Sequence, residues 1–182
     1  MSTDIEYVPW PKISRRNRTV FVTEKIDGTN ACVHISEDGV IRAGSRTRWI
    51  TPEDDNFGFA KWVQDNQGEL LKLGAGAHFG EWYGRGVQRN YGLTERRFAL
   101  FNASHWGKAE DRPECCHVVP LLAIGLERDG IVEQALERLR AEGSIAVPGF
   151  KPAEGIIIYH TASKQMNKIT LEKDESPKGA SE

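Results

Sequence analysis

The sequence predicts an α+β fold, mainly antiparallel β-sheets flanked by a few helices, on three observations. Short runs rich in β-branched and aromatic residues recur along the chain. Only two stretches carry helical spacing. The strands follow one another in hairpin-like succession, which argues against a repeated βαβ unit. In chain order, strands are expected at Thr19–Ile26, Ala31–Ile35 and Val40–Ala43. A helix is expected from Phe57 to Leu71, entered from acidic Asp54 and Asp55. Strands follow at His78–Tyr83, Arg97–Phe101 and His117–Ile124. The second helix carries Ile131, Val132, Ala135, Leu136 and Leu139 on one face and stops near Gly143. Strands at Gly155–His160 and Met166–Leu171 close the pattern.

At 182 residues the chain has the usual size of one domain, and it shows neither an internal repeat nor a long Pro/Ser/Gly linker. Residues 1–171 are therefore expected to fold as one unit. Residues 172–182, EKDESPKGASE, offer almost no apolar surface to offset the entropy of ordering and are expected to form a mobile polar tail. No apolar run approaches the roughly 20 residues of a membrane span, and residues 1–20 lack the apolar stretch of a secretory signal, so a cytoplasmic location is expected.

The three cysteines, Cys32, Cys115 and Cys116, are odd in number and form no CxxC pair, so unpaired thiols are expected rather than a disulfide framework or a zinc site. The histidines show no HExxH spacing, no GKS or GKT marks a P-loop, and Gly84-Arg85-Gly86 lacks a dinucleotide-binding context. With 24 basic and 26 acidic side chains, bulk charge does not drive nucleic-acid binding. Local groups still can. Lys12, Arg15, Arg16 and Arg18 cluster without an acid, and Arg85, Arg89, Arg96 and Arg97 are interleaved with Tyr83, Tyr91 and Phe98, a mixture that suits an RNA strand.

The segment Thr23-Glu24-Lys25-Ile26-Asp27-Gly28-Thr29-Asn30 places a lysine at a strand end before an Asp-Gly turn. By itself this is a common hairpin signal with a solvated lysine. A lysine amine of ordinary pKa near 10.4 becomes a nucleophile only where burial or neighbouring cations remove its proton. Five further segments follow in order: Ala43-Gly44-Ser45-Arg46, Phe79-Gly80-Glu81-Trp82, Arg97-Phe98-Ala99-Leu100-Phe101, Ala153-Glu154-Gly155-Ile156 and Asn167-Lys168-Ile169. Singly, each reads as an ordinary turn, strand or core segment.

Together, in this order, they resemble the covalent nucleotidyltransferases, and most closely the ATP-dependent RNA ligase family. The resemblance runs from about Tyr7 to Lys173. It implies an adenylation domain in which Lys25 takes AMP from ATP in a covalent lysyl-AMP bond, with Lys168 beside the α-phosphate. Glu24, Asp27, Gly28, Asn30, Arg46, Glu81 and Phe101 are the implied nucleotide-binding residues. Glu81 would accept from the ribose, Phe101 would stack on the purine, and Glu154 would lie next to a Mg²⁺ or Mn²⁺ ion. Two departures stand out: Asn102 follows Phe101 where the family usually has aspartate, and Thr170 stands where a second lysine is common.

The implied activity is sealing of 5′-phosphate to 3′-hydroxyl ends of RNA or nicked duplexes. A GTP-dependent capping enzyme, a DNA nick ligase and a non-catalytic nucleic-acid-binding module are the alternatives. Only fourteen residues follow Lys168, too few for the extra C-terminal domain of many ligases. The expectation therefore centres on nucleotidylation, with a separate protein supplying end recognition.

Overall fold

A computed structural model describes residues 6–172 of the chain. The expected polar tail lies, apart from Glu172, outside the described residues. Ten strands form two sheets. The first has four strands in the order β10-β9-β1-β8: β1 (Thr19–Lys25), β8 (Leu121–Leu126), β9 (Gly155–His160) and β10 (Gln165–Thr170). The second has six in the order β4-β3-β2-β5-β6-β7: β2 (Thr29–Ile35), β3 (Ile41–Gly44), β4 (Trp49–Ile50), β5 (Gly76–Gly84), β6 (Arg96–Leu100) and β7 (Cys116–Val118). All pairings are antiparallel except β6 with β7. The α+β class and its antiparallel character are as the composition of the runs predicts.

The helices cover one face of each sheet. Helix α4 (Ile131–Glu142) buries Val132, Ala135, Leu136 and Leu139 against Val20, Val22, Ile156 and Ile158 of the first sheet. It ends as predicted at Gly143, whose φ of +85° lies in the left-handed region that glycine adopts without a Cβ penalty. Phe59, Ala60 and Val63 pack on Ala31, Val33, Trp82, Phe98 and Leu100 of the second sheet. The predicted Phe57–Leu71 helix is shorter and broken into α1 (Phe59–Asp65), α2 (Gln67–Leu70) and a 3₁₀ turn over Leu71–Leu73. Asn66 interrupts it with φ −113°, and its side-chain amide bonds the Trp62 carbonyl. The remaining α-helix, α3 (Ala103–Trp106), is a single turn capped by Asn102.

Asp55 opens α1 by accepting from the backbone N–H groups of Ala60 and Lys61 at 2.8 and 3.0 Å. Those donors otherwise have no partner inside the helix. Asp55→Ala should therefore cost about 1 kcal/mol of stability, the usual value of a side-chain N-cap, read as a lower urea midpoint at unchanged slope.

Two readings of the sequence are corrected. The Asp27-Gly28 turn does not close a hairpin, because β1 and β2 lie in different sheets and the turn carries the chain between them. The expected strand His117–Ile124 is two strands in two sheets, divided at Val119-Pro120. Pro120 has no N–H for a ladder, while its carbonyl accepts from Glu24 N–H at 2.9 Å, so the second crossing lies against the first. Ile26, Tyr83, Tyr91, Ala99 and Val119 fill the joint between the sheets. Cys32, Cys115 and Cys116 are free thiols, as expected. Among the described residues, no helix is long and apolar enough to cross a membrane.

Candidate active site

The two crossings create a cleft at the carboxyl end of β1. Lys25, the last residue of β1, faces Gly155 in register, which places the preceding Glu154 beside its amine. Lys25 Nζ donates to Glu154 Oε2 at 2.6 Å, with only 17% and 4% of the two side chains exposed. On the other side, β5 brings up Glu81 opposite Asn30 of β2. Glu81 accepts from Gly28 N–H at 3.0 Å and from Asn30 Nδ2 at 3.1 Å. Gly28 is required here by close approach, since a Cβ would lie 2.4 Å from the Trp82 carbonyl oxygen and 2.9 Å from Tyr83 Cβ.

The electrostatics of this cleft are unusual for a carboxylate. Burial raises the pKa of Glu81 to about 7, against the lowering effect of Lys25 and of the Gly28 N–H. The charge of Glu154 pushes it further up. Lys25 thus lies between two carboxylates from distant parts of the sequence, residues 81 and 154.

Lys168 sits on the same face of the first sheet as Lys25. It pairs with Ile157, and Ile157 pairs with Thr23, two residues before Lys25. Their Cα atoms are thus roughly 12 Å apart, two strand spacings across and two residues along, and two extended lysine side chains can meet over one phosphate. Thr170 lies in the row of Lys25 itself, across Gly155. Of the other lysines nearby in sequence, Lys164 is in the β9–β10 turn, and Lys173 is outside the described residues.

Phe101 follows β6 directly and is 40% exposed, while Phe98, on the opposite face, is fully buried in the core, as strand alternation predicts. Phe101 N–H bonds the carbonyl of Phe79, itself 60% exposed, so two open aromatic rings flank the cleft on the Glu81 side. Trp82 and Tyr83 are core residues. Arg46 is exposed in the turn between β3 and β4, past the point where Gly44 pairs with Cys32 and toward the Asn30 end of β2. Neighbouring Arg48 is instead committed to Asp54 through two bonds.

Two predicted nucleotide contacts are occupied by the protein. Glu24 is 1% exposed on the far face of β1, where its carboxylate accepts from Ser144 Oγ at 2.5 Å and from Ile145 and Ala146 N–H at 2.8 Å each. Its pKa is raised by burial, partly offset by those three donors. The side chain anchors the loop after α4 and does not reach the cleft. Asp27 accepts from Arg89 Nε at 3.0 Å, and its N–H donates to the Tyr91 hydroxyl at 2.7 Å. Arg89 also donates to the Pro152 carbonyl at 3.4 Å. The sequence reading missed this brace, which ties the lysine loop to the glutamate loop; the arginine and tyrosine were visible only as part of a basic, aromatic stretch. Arg96 and Arg97 of that stretch are likewise engaged, Arg96 with the carbonyls of Arg85 and Phe57 and Arg97 with Glu95.

Among the described residues, no group of three or more His, Cys, Asp or Glu side chains is arranged to hold a metal ion. Glu154 nonetheless offers the kind of donor taken by an ion of magnesium type, which uses one or two carboxylates and fills its octahedron with phosphate oxygens and water.

A lysine at a strand end, between two carboxylates and beside open aromatic rings, makes this cleft the candidate active site. The family model described as RNA ligase matches residues 18–173, and the chain belongs to this family. Solved structures of RNA ligase variants from Naegleria gruberi share the fold. A variant carrying ATP and Mn superposes with a TM-score of 0.61 at 18% identity, over 85% of this chain and 50% of that one. One without ligand gives 0.60 at 20% identity over 84% and 49%, and one with AMP and Mn gives 0.58 at 19% over 85% and 50%. The chain therefore spans about half the length of the ligase structures it matches. No curated protein matches it.

Proposed function

We propose that this chain is an ATP-dependent RNA ligase that forms a covalent lysyl-AMP bond on Lys25 and passes AMP to a 5′-phosphate end. The observation that carries this reading is the 2.6 Å contact of Lys25 with Glu154 in a cleft shared with Glu81. The ATP and AMP bound by the Naegleria gruberi variants support the choice of nucleotide.

Glu154 holds the amine at the mouth of β9 and accepts a proton from it across the 2.6 Å contact as Nζ attacks the α-phosphorus of ATP. The N–P bond forms as the bond to the pyrophosphate oxygen breaks. Lys168 stabilises charge on the α-phosphate. Glu81, Asn30 and Gly28 form one hydrogen-bonded unit that can present a carboxylate to the ribose, with Arg46 beyond it for ribose or terminal-phosphate contacts. Phe101 offers its open face to the purine. A Mg²⁺ or Mn²⁺ ion on Glu154 would neutralise phosphate charge when bound. AMP then moves to the RNA 5′-phosphate, and a 3′-hydroxyl displaces it to seal the strand. RNA or nicked-duplex ends as acceptor, a cytoplasmic setting and a separate protein for end recognition belong to this proposal.

Incubation with α-labelled ATP or GTP followed by a denaturing gel tests it. Label from ATP supports the proposal, label from GTP alone would point to capping chemistry, and no label would leave a binding module. Lys168→Ala should slow labelling at least about tenfold, or about 1.4 kcal/mol of barrier. A wild-type labelling rate in that variant would remove Lys168 from the chemistry.

A further inference from the structure

Opposite α4, the first sheet displays three successive rows of side chains on the face that carries Lys25. The first row holds Lys25, Gly155 and Thr170; the second holds Leu121, Thr23, Ile157 and Lys168. The third row, Ile124, Phe21, Tyr159 and Met166, crosses all four strands and is apolar apart from one phenol hydroxyl. Ile124 and Met166, on the two edge strands, are 53% and 71% exposed. Phe21 and Tyr159 are half-buried, with ring centroids 6.5 Å apart. The three rows contain two lysines and no carboxylate. The third row lies about 14 Å from the first, with Lys168 between them.

We propose that this face seats the unpaired 5′-terminal nucleotides of the RNA strand that receives AMP. Their bases pack on the Phe21–Tyr159–Met166–Ile124 row, and their phosphates are drawn to Lys168. The inference rests on the ligase reading and deepens it by naming where the acceptor lies. A contiguous apolar row left open on a sheet marks an interaction surface. Aromatic and apolar side chains on a sheet hold single-stranded bases without regard to sequence, and lysines alongside neutralise the backbone. A protein partner would satisfy the apolar row alone. A nucleic-acid strand also uses Lys168 in the row beside it, and that row leads on to the Lys25 amine, where its 5′ end must arrive.

The test uses a short 5′-phosphorylated RNA oligonucleotide and three full-chain variants: Ile124→Glu with Met166→Glu, Tyr159→Ala, and Tyr159→Phe. Ile124 and Met166 are exposed edge positions, so the double variant keeps its core. Fluorescence anisotropy should show the double variant and Tyr159→Ala binding RNA at least about tenfold more weakly, with AMP transfer to RNA falling in step. Labelling of the protein by ATP should stay at the wild-type level, and Tyr159→Phe should bind like wild type because the ring and not the hydroxyl is used. Unchanged RNA affinity in the double variant overturns the proposal, as does a wild-type dimer that the double variant dissociates while RNA affinity holds. A wild-type protein that takes no label from ATP overturns the ligase reading instead, and the anisotropy still decides whether RNA occupies this face.

Discussion

Lys25→Ala is expected to abolish covalent AMP labelling, and Lys25→Arg is expected to abolish it equally. The pair of variants separates chemistry from folding. Alanine removes both the nucleophile and the cation that pairs with Glu154, whose side chain is only 4% exposed. Removing the cation from a buried ion pair costs up to about 3–5 kcal/mol, so loss of label in the alanine variant could be read as loss of structure. Arginine keeps a positive charge opposite Glu154, yet its guanidinium does not deprotonate in a protein and cannot attack phosphorus. A folded Lys25→Arg protein, checked by its thermal transition, that takes no label establishes Lys25 as the acceptor of AMP. Persistent labelling in Lys25→Ala would move the nucleophile elsewhere, and Lys168 on the same face would be the next residue to replace.

Much of this cleft was legible in the sequence because strand residues announce their faces. The alternation in TVFVTEK puts Val20 and Val22 in the core and leaves Lys25 on the other side. The same rule separates Phe98 from Phe101. It also assigns Glu24 to the buried face, against its expected role in nucleotide binding. Three partners for a buried carboxylate, Ser144 and the N–H groups of Ile145 and Ala146, come from about 120 residues away, and no local pattern announces such a contact.

The sheet crossings were illegible for a related reason. Asp27-Gly28 is as good a hairpin turn as any by composition, and only the 2.4 Å approach of the Trp82 carbonyl to a would-be Cβ shows why glycine stands there. Pro120 did carry a signal, since proline in a strand run demotes the strand. Its consequence, a switch of sheet, depends on Glu24 N–H being in place to meet its carbonyl. Arg89 and Tyr91 were grouped with the RNA-facing residues because their partners, Asp27 and Pro152, lie more than 60 residues away on either side.

The unusual state of Glu81 makes the stability of the protein depend on pH in a direction opposite to that of a paired surface carboxylate. Its folded pKa of about 7 stands above the ordinary 4.5. Between those two values the folded protein holds a proton that the unfolded chain has released, so stability falls as pH rises through this window. The full effect, reached above pH 7, is about 3 kcal/mol as an upper bound, at roughly 1.4 kcal/mol for each tenfold change in proton affinity. Glu24, raised by burial, contributes with the same sign. His117, lowered by burial and by Arg97 and Arg112, contributes with the opposite sign, losing stability as pH falls. Comparison with Glu81→Gln isolates the group, because the new amide oxygen still accepts from Gly28 and Asn30 can turn its own oxygen toward the new N–H₂ donor. Urea unfolding at about pH 5 and about pH 8 should show wild type losing up to about 2.5 kcal/mol more than Glu81→Gln across the interval, since part of the window lies below pH 5. Parallel losses in the two proteins would mean that Glu81 is ionised throughout. The carboxylate would then be ready for a ribose or a metal ion at every pH, where the structure instead makes it wait for neutral pH or for a cation to draw its proton away.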